Sequence, residues 1–406
     1  MMNDIYLDNA ATTRCCPEAM KAMEQALAAD YGNPSSMHRK GFEAEKIWKD
    51  AMKSLAGTLA VTPEEIIFTS GGTESDNMAI LGAARAAGRR GKHVIISAVE
   101  HAAVANTAAS LEKDGYEITV LPVDGLGIVD PDEVKRAMRE DTILVSVMAV
   151  NNEVGSVQRL EEIGKAVKSA GGSAYFHTDA VQGYGKIDID VKKCGIDLLS
   201  VSGHKLHGPK GTGFLYVKKG VRLEPIMYGG GQQRGLRSGT MNVPGAVGLA
   251  AAAARAFAGQ ADKGKHGAAE SAAGNERSYI SGLRDLLADE LKAGVDNLII
   301  NGPAGASGME AYAAPHILSV SVPGVRAEVL LHALEDEGIY VSAGSACSSH
   351  QMKKTHGTAT LRAMGLDEAL LDSTIRFSLS RENTAQEMER TAEVMASLVP
   401  ALRRFS

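Results

Sequence analysis

The chain has 406 residues, 44% of them hydrophobic, with 43 Lys and Arg against 49 Asp and Glu for a formal net charge of −6. That length allows two domains around a large apolar core, and the interspersed charges leave no extended basic face, which argues against direct nucleic-acid binding. No apolar stretch reaches membrane-spanning length, and the four cysteines (Cys15, Cys16, Cys194, Cys347) lack the CxxC spacing of a zinc site or the density of a disulfide framework. The start, Met1-Met2-Asn3-Asp4, lacks the features of a signal peptide, so a cytoplasmic protein with reduced thiols is expected.

Residues 5–13 read as a short strand followed by small polar residues able to approach a ligand or another subunit. Pro17 opens a helix to about residue 29, turn chemistry fills 31–36, and a second helix runs to about residue 60. Thr62-Pro63-Glu64-Glu65 resembles a capping box. Residues 66–70 then read as the first strand of a main sheet, and Gly71-Gly72-Thr73-Glu74-Ser75 opens the next helix. The free amides of such a helix start, with the Thr73 hydroxyl beside them, suit a phosphate dianion; the plainer reading makes Thr73 an N-cap.

Strand and helix patterns alternate from there: strands at 93–99, 117–123, 142–150 and 174–180, with helices starting near 102, 131 and 159. This predicts an α/β fold with a large, mostly parallel sheet covered by helices on both faces. Ligands bind such sheets at the carboxyl ends of the strands, where His101, Asn152, Asp179, Gln182 and Lys205 fall, joined by Thr73. An imidazole at His101 can lie on a flat ring and exchange protons, or be a satisfied structural histidine. Asn152 offers an amide to a cofactor oxygen or a carboxylate, or simply forms a turn.

Lys205 leaves the end of the apolar strand 196–201 at Gly203, and Gly208, Pro209, Gly211 and Gly213 follow before a strand at 214–217. Pro209 stands where a phosphate-loop lysine would need to be, so a nucleotide loop is rejected. Asp179, at the end of the preceding strand, either caps a turn or completes the pair that pyridoxal 5'-phosphate (PLP) requires: a lysine for the Schiff base and a carboxylate for the pyridine nitrogen.

The glycine-rich stretch 228–240 reads as a functional loop, a helix covers 244–257, and the low-complexity run 259–274 marks a domain boundary. Beyond it a smaller α+β pattern follows: a helix to about 291, strands near 298–301 and 317–322, a helix at 327–337, strands at 339–342 and 375–379, and a last helix to about 401. Residues 15–260 are thus assigned to a large cofactor-binding domain, and 1–14 with 261–406 to a small one. The loop at about 344–358 has no periodicity and carries Cys347, with His350, Lys353, Lys354 and His356 nearby to favour thiolate. Cys347, His350 and His356 lack a fourth ligand, and no metal site is expected. Arg376 interrupts an apolar strand and needs a planar carboxylate, from a substrate or from the protein. A cofactor lysine, a carboxylate-binding arginine and a thiol on a loop together describe an amino-acid reaction with sulfur transfer.

These residues carry a family likeness. Asp8 to Thr13, Thr69 to Asn77, Glu100-His101, Asn151-Asn152-Glu153, His177 to Gln182, Ser202-Gly203-His204-Lys205, Arg237 to Thr240 and Gly344-Ser345-Ala346-Cys347 resemble the motifs of the NifS/IscS-type cysteine desulfurases, a branch of the class V aminotransferases with the PLP fold-type I architecture and its seven-stranded sheet. The resemblance covers nearly the whole chain. It implies that Lys205 forms the Schiff base, Asp179 pairs with the pyridine nitrogen, Gln182 contacts the ring oxygen and His101 stacks on the ring. It also implies that Thr73, Ser202 and His204 hold the phosphate together with Thr240 of a second subunit, in a homodimer, and that Asn33, Asn152 and Arg376 hold the carboxylate of L-cysteine. Cys347 would take the sulfur as a persulfide and pass it to acceptor proteins of iron–sulfur cluster assembly or tRNA thiolation. Selenocysteine lyase or another class V aminotransferase would share the Lys205 site, Cys347 being the feature that speaks against a plain aminotransferase. A non-catalytic sulfur-carrier or scaffold protein is the alternative of a different class.

Overall fold

The computed structural model describes residues 4–88, 90–169, 173–258, 272–343 and 359–404. The loop with Cys347, His350 and His356, and residues 259–271 of the low-complexity run, lie outside the described residues. A short strand β1 (Ile5–Tyr6) is followed by helices α1 (Pro17–Ala28) and α2 (Arg39–Thr58). Pro17 begins α1, where a missing N–H leaves no helical bond unmade. On α2, Trp48, Ala51 and Leu55 recur at helical spacing and are buried, with the Trp48 ring 4.3 Å from that of Phe68. Between α2 and the sheet, the Thr62 amide donates to Glu65 at 2.9 Å, the contact its capping-box pattern anticipates.

The main sheet is built from β2 (Ile66–Thr69), β3 (His93–Ser97), β4 (Glu117–Leu121), β5 (Thr142–Ser146), β6 (Tyr175–Asp179), β7 (Leu198–Ser202) and β8 (Gly213–Val217), in the order β2-β8-β7-β6-β5-β3-β4. Helices α3 (Gly72–Ala87), α4 (Ala102–Leu111), α5 (Pro131–Ala137) and α6 (Leu160–Ser169) connect its parallel strands. Only β8 runs antiparallel to its neighbours β7 and β2. The ten residues between β7 and β8 hold no crossover helix, so the chain returns in the opposite direction. Successive residues alternate between the two faces: Ile95, Val145 and Leu199 join one core, and Val94, Leu144 and Leu198 the other. Helix α7 (Val243–Ala256) packs with α1 and α2 over the first of these cores through Leu249 and Ala253.

After α8 (Ala272–Gly294) a second sheet forms from β9 (Ile299–Asn301), β10 (Ile317–Ser321), β12 (Ser342–Ala343) and β13 (Thr374–Ser378), antiparallel in the order β12-β13-β10-β9. Helices α9 (Ala327–Asp336) and α12 (Ala385–Leu402) cover it with α8, around Leu287, Leu318, Leu330, Phe377 and Met395. The short helices α10 (Ala359–Ala363) and α11 (Glu368–Leu371) precede β13. Residues 339–342, expected as one strand, are two: β11 (Ile339–Tyr340) pairs parallel with β1, whereas β12 pairs with β13. The strands expected at 93–99, 117–123 and 142–150 stop two to four residues earlier, and after the first and third the chain leaves the sheet to supply the rim of a cavity. Among the described residues no helix is long and apolar enough to cross a membrane.

Candidate active site

A cavity of about 750 Å³ opens at the carboxyl ends of β3, β5, β6 and β7, beside the first turn of α3. The neighbours of β3, β4 on one side and β5 on the other, are reached by connections in opposite directions, which is where such sheets part to admit a ligand. Thr73, His101, Asn152, Asp179, Gln182, Ser202, His204, Lys205 and Arg376 all line the cavity. Asn33 and Thr240 do not: both are exposed elsewhere on the chain, and Asn33 accepts a hydrogen bond from the Ser35 amide.

One end of the cavity is suited to an anion. Gly71, with φ +149°, caps α3 without a side chain, so Thr73 is inside the first turn and not at the N-cap. The amides there keep their outward direction, and Ser202 stands across from them. A Cβ on Gly72 would come within 2.6 Å of Val181, which fixes the bare backbone at this spot. His204 donates or accepts at Thr12 Oγ1, 3.1 Å away; burial, with Lys205, Lys210 and Lys186 nearby, pulls its pKa down to about 4 and keeps it neutral.

The floor is acidic. Asp179 ends β6, is 4% exposed and accepts from the Val181 amide at 2.8 Å; burial raises its pKa, opposed by His101 and Lys205. Behind it Asp76 is held well above the ordinary carboxylate range by burial and by the Asp179 charge, and its Oδ1 has no hydrogen-bond partner among the described residues. His177 bridges Ser146 and Ser200, and burial lowers its pKa to about 3. Asp76, His101 and Asp179 bring possible ligand atoms within 4.8 Å of one another, but the burial that raises the Asp76 pKa also works against its acting as a cation ligand.

Glu100, next to His101, accepts from the Ser97 hydroxyl and the Met148 amide through Oε1, while Oε2 has no partner among the described residues. Burial lifts its pKa to about 8. Between the unfolded value of about 4.3 and this one, the folded protein keeps a proton that the unfolded chain has released. That contribution to stability is complete below the unfolded pKa and is lost as pH rises through about 8. Glu100→Gln should therefore remove part of the fall in thermal unfolding midpoint between pH 5.5 and 8.5. Parallel midpoint–pH curves for the two proteins would contradict a buried, protonated Glu100.

The amine enters from the β7 end. Lys205 closes a single turn after β7, and its Nζ donates to the carbonyls of Ala10 at 2.6 Å and Ala11 at 2.7 Å. Gln182 Nε2 donates to the same Ala10 oxygen at 2.8 Å. Arg376, 6% exposed on β13, donates to Asp8 Oδ1 and to the Asn152 carbonyl, each at 2.8 Å, and its Nε has no partner among the described residues. The protein carboxylate that the sequence left open as a partner is thus Asp8, with the Nε–H of the guanidinium left over. Glu153 stands beside it, pushed up to about 8 by burial. Asp76 and His316, buried about this site, and Glu153 and Lys186, half-buried there, were not singled out from the sequence. The available signals were that Glu153 adjoins Asn152 and that Lys186 follows Gln182 by one helical turn. The ends of the chain flanking residues 344–358 also meet here: Ala359 and Thr360 line the cavity, and Ala343 pairs with Ile375 beside Arg376.

The class-V aminotransferase pattern matches residues 5–391. The chain is similar to the putative cysteine desulfurase IscS 1 of Bacillus subtilis (strain 168), 44% identical with 99% of this chain and 100% of that protein covered. It is also similar to the cysteine desulfurase IscS of Methanosarcina thermophila, 42% identical over 99% of this chain and 93% of that one. A solved NifS-like protein superposes with a TM-score of 0.88 at 36% identity, covering 98% of this chain and all of the other. The chain belongs to the class-V aminotransferase family, in its NifS/IscS-type branch.

Proposed function

We propose that this chain is a PLP-dependent cysteine desulfurase that converts L-cysteine to L-alanine and takes the sulfur on Cys347. The observation that carries the reading is one cavity holding Lys205, Asp179 and an uncapped helix start, with both flanks of the Cys347 loop at its edge. The residues fit the cofactor: α3's free amides, Thr73, Ser202 and His204 suit its phosphate, and Asp179 its ring nitrogen. His101 would stack on the ring and Gln182 would donate to its oxygen. When bound, PLP supplies an electron sink that makes the substrate's α-proton removable.

The chain's own groups do the rest. Arg376 and Asn152 hold the substrate carboxylate; Lys205 carries the proton from the α-carbon, and His101 serves as acid or base on the substrate side. The Cys347 thiolate attacks the substrate sulfur, so an S–S bond forms as the C–S bond breaks, and the electron pair left on carbon takes a proton to give alanine. Substrate and thiol thus become alanine and a Cys347 persulfide with no external oxidant.

Thr240 is exposed and away from the cavity, as a residue offered to the phosphate site of a second copy would be, so we read the enzyme as a homodimer. Residues 15–260 form its large domain, and 1–14 with 261–406 a small one that carries the thiol. Its persulfide would serve iron–sulfur cluster assembly or tRNA thiolation in the cytoplasm. Incubation with L-cysteine and a reductant should give alanine and sulfide in equal amounts. A keto acid product would make it an aminotransferase, and no turnover with no visible cofactor band would leave a carrier or scaffold.

A further inference from the structure

Behind Gln182 lies a half-buried amine that the reaction above does not use. Lys186 Nζ donates to Gln182 Oε1 at 3.1 Å, and His316 Nε2 reaches the same oxygen at 3.2 Å. The other end of the amide, Nε2, donates to the Ala10 carbonyl, which also accepts from Lys205. Gln182 is 3% exposed and His316 2% exposed.

An amide can be flipped at little steric cost, so its neighbours decide which atom faces the cavity. Ala10 O accepts only, and a flip would set oxygen against oxygen there. His316 alone cannot decide, because a neutral imidazole presents either a donor or an acceptor at Nε2; its Nδ1 has no partner among the described residues. An ammonium group donates only. We propose that Lys186 is a positioning residue: by donating to Gln182 Oε1 it locks the amide with its NH2 group toward Ala10 and the cavity, leaving one N–H for the ring oxygen of the cofactor. This rests on the PLP reading of the cavity.

The surroundings agree. Lys205, Arg376, His204, His207 and His316 all stand near enough to influence or be influenced by Lys186, and Glu276 and Arg277 line the small cavity of about 50 Å³ that it shares with them. Burial, with the Lys205 and Arg376 cations, brings its pKa down to about 7. A neutral amine would also carry a lone pair able to accept, so the lock belongs to the ammonium form. An amine half-buried among cations costs stability, and the hydrogen bond to Gln182 gives that cost a use.

The test is a double-mutant cycle with Lys186→Met and Gln182→Leu. In PLP-loaded protein the measurement is the pH midpoint at which the visible band of the Lys205-bound cofactor changes. Losing a donor to the ring oxygen strengthens the ring's own hold on the imine proton. Each single variant should therefore raise the midpoint by about one pH unit, and the double variant should go no further than Gln182→Leu. In cofactor-free protein, the change that Lys186→Met makes in the thermal unfolding midpoint should be more favourable in the Gln182→Leu background than in the parent, where the substitution also breaks the contact. An unmoved spectral midpoint in Lys186→Met, or shifts that add in the double variant, would overturn the inference while the parent still binds PLP. Failure of the parent to take up PLP would overturn the reading beneath it, and additive unfolding effects would refute the contact itself.

Discussion

Alanine formation from L-cysteine should fall by about a thousandfold in Lys205→Ala, with cofactor binding weakened but not abolished. Lys205 is asked to carry the α-proton, and nothing nearby can take its place. Lys186, the other half-buried amine, does not line the cavity and is held on Gln182. His101 lines it but accepts the Ala103 amide at Nδ1 as the cap of α4, which turns that nitrogen away from a substrate. The phosphate end, at α3, does not involve Lys205, so PLP should still be retained by noncovalent contacts. The assay is alanine released per PLP bound, with the unfolding midpoint as control for the fold. Residual turnover above a tenth of the parent's would remove Lys205 from its role.

The second large effect is expected at Cys347. Cys347→Ala should bind PLP with an unchanged visible spectrum yet lose alanine and sulfide production by at least about a hundredfold, as loss of a nucleophile does elsewhere. The two variants fail differently: Lys205→Ala alters the colour of the bound cofactor, whereas Cys347→Ala leaves it and stops only the passage of sulfur. Mass spectrometry after a single turnover should find one added sulfur on the parent and none on the variant. Undiminished desulfuration in Cys347→Ala would dismiss the thiol as acceptor.

The parts of the fold that were legible in the sequence are those in which one local rule decides. Alternating strands and helices from residue 66 to 202 gave the parallel sheet, because a strand buried on both faces must be apolar along its length. Thr73, His101, Asp179, Gln182 and Lys205 were legible because each stands at the carboxyl end of a strand or in the turn beyond it, and strand ends in such sheets face one common cleft. What stayed hidden depends on residues far apart in the chain. The pairing of Asp8 with Arg376 spans 368 positions, and the division of 339–342 between two sheets follows from partners on β1 and β13, not from its own composition. Asp76, Glu153 and Lys186 look like surface charges in sequence, and only burial shows otherwise.

The segment from Ile5 to Ala11 has an effect on the order in which the molecule is completed. It is synthesised long before the partners it needs: Ile5 and Tyr6 pair with Ile339 and Tyr340, and Asn9 and Ala10 bond to Ser378. The same segment supplies the carbonyls that hold Lys205 and Gln182 and the carboxylate that holds Arg376. A nascent chain can finish the main sheet early, but such distant pairings must wait for their partners to emerge. A polypeptide cut short before residue 376 would hold its lysine on a sheet already built, while the segment that aims it still lacked its anchor.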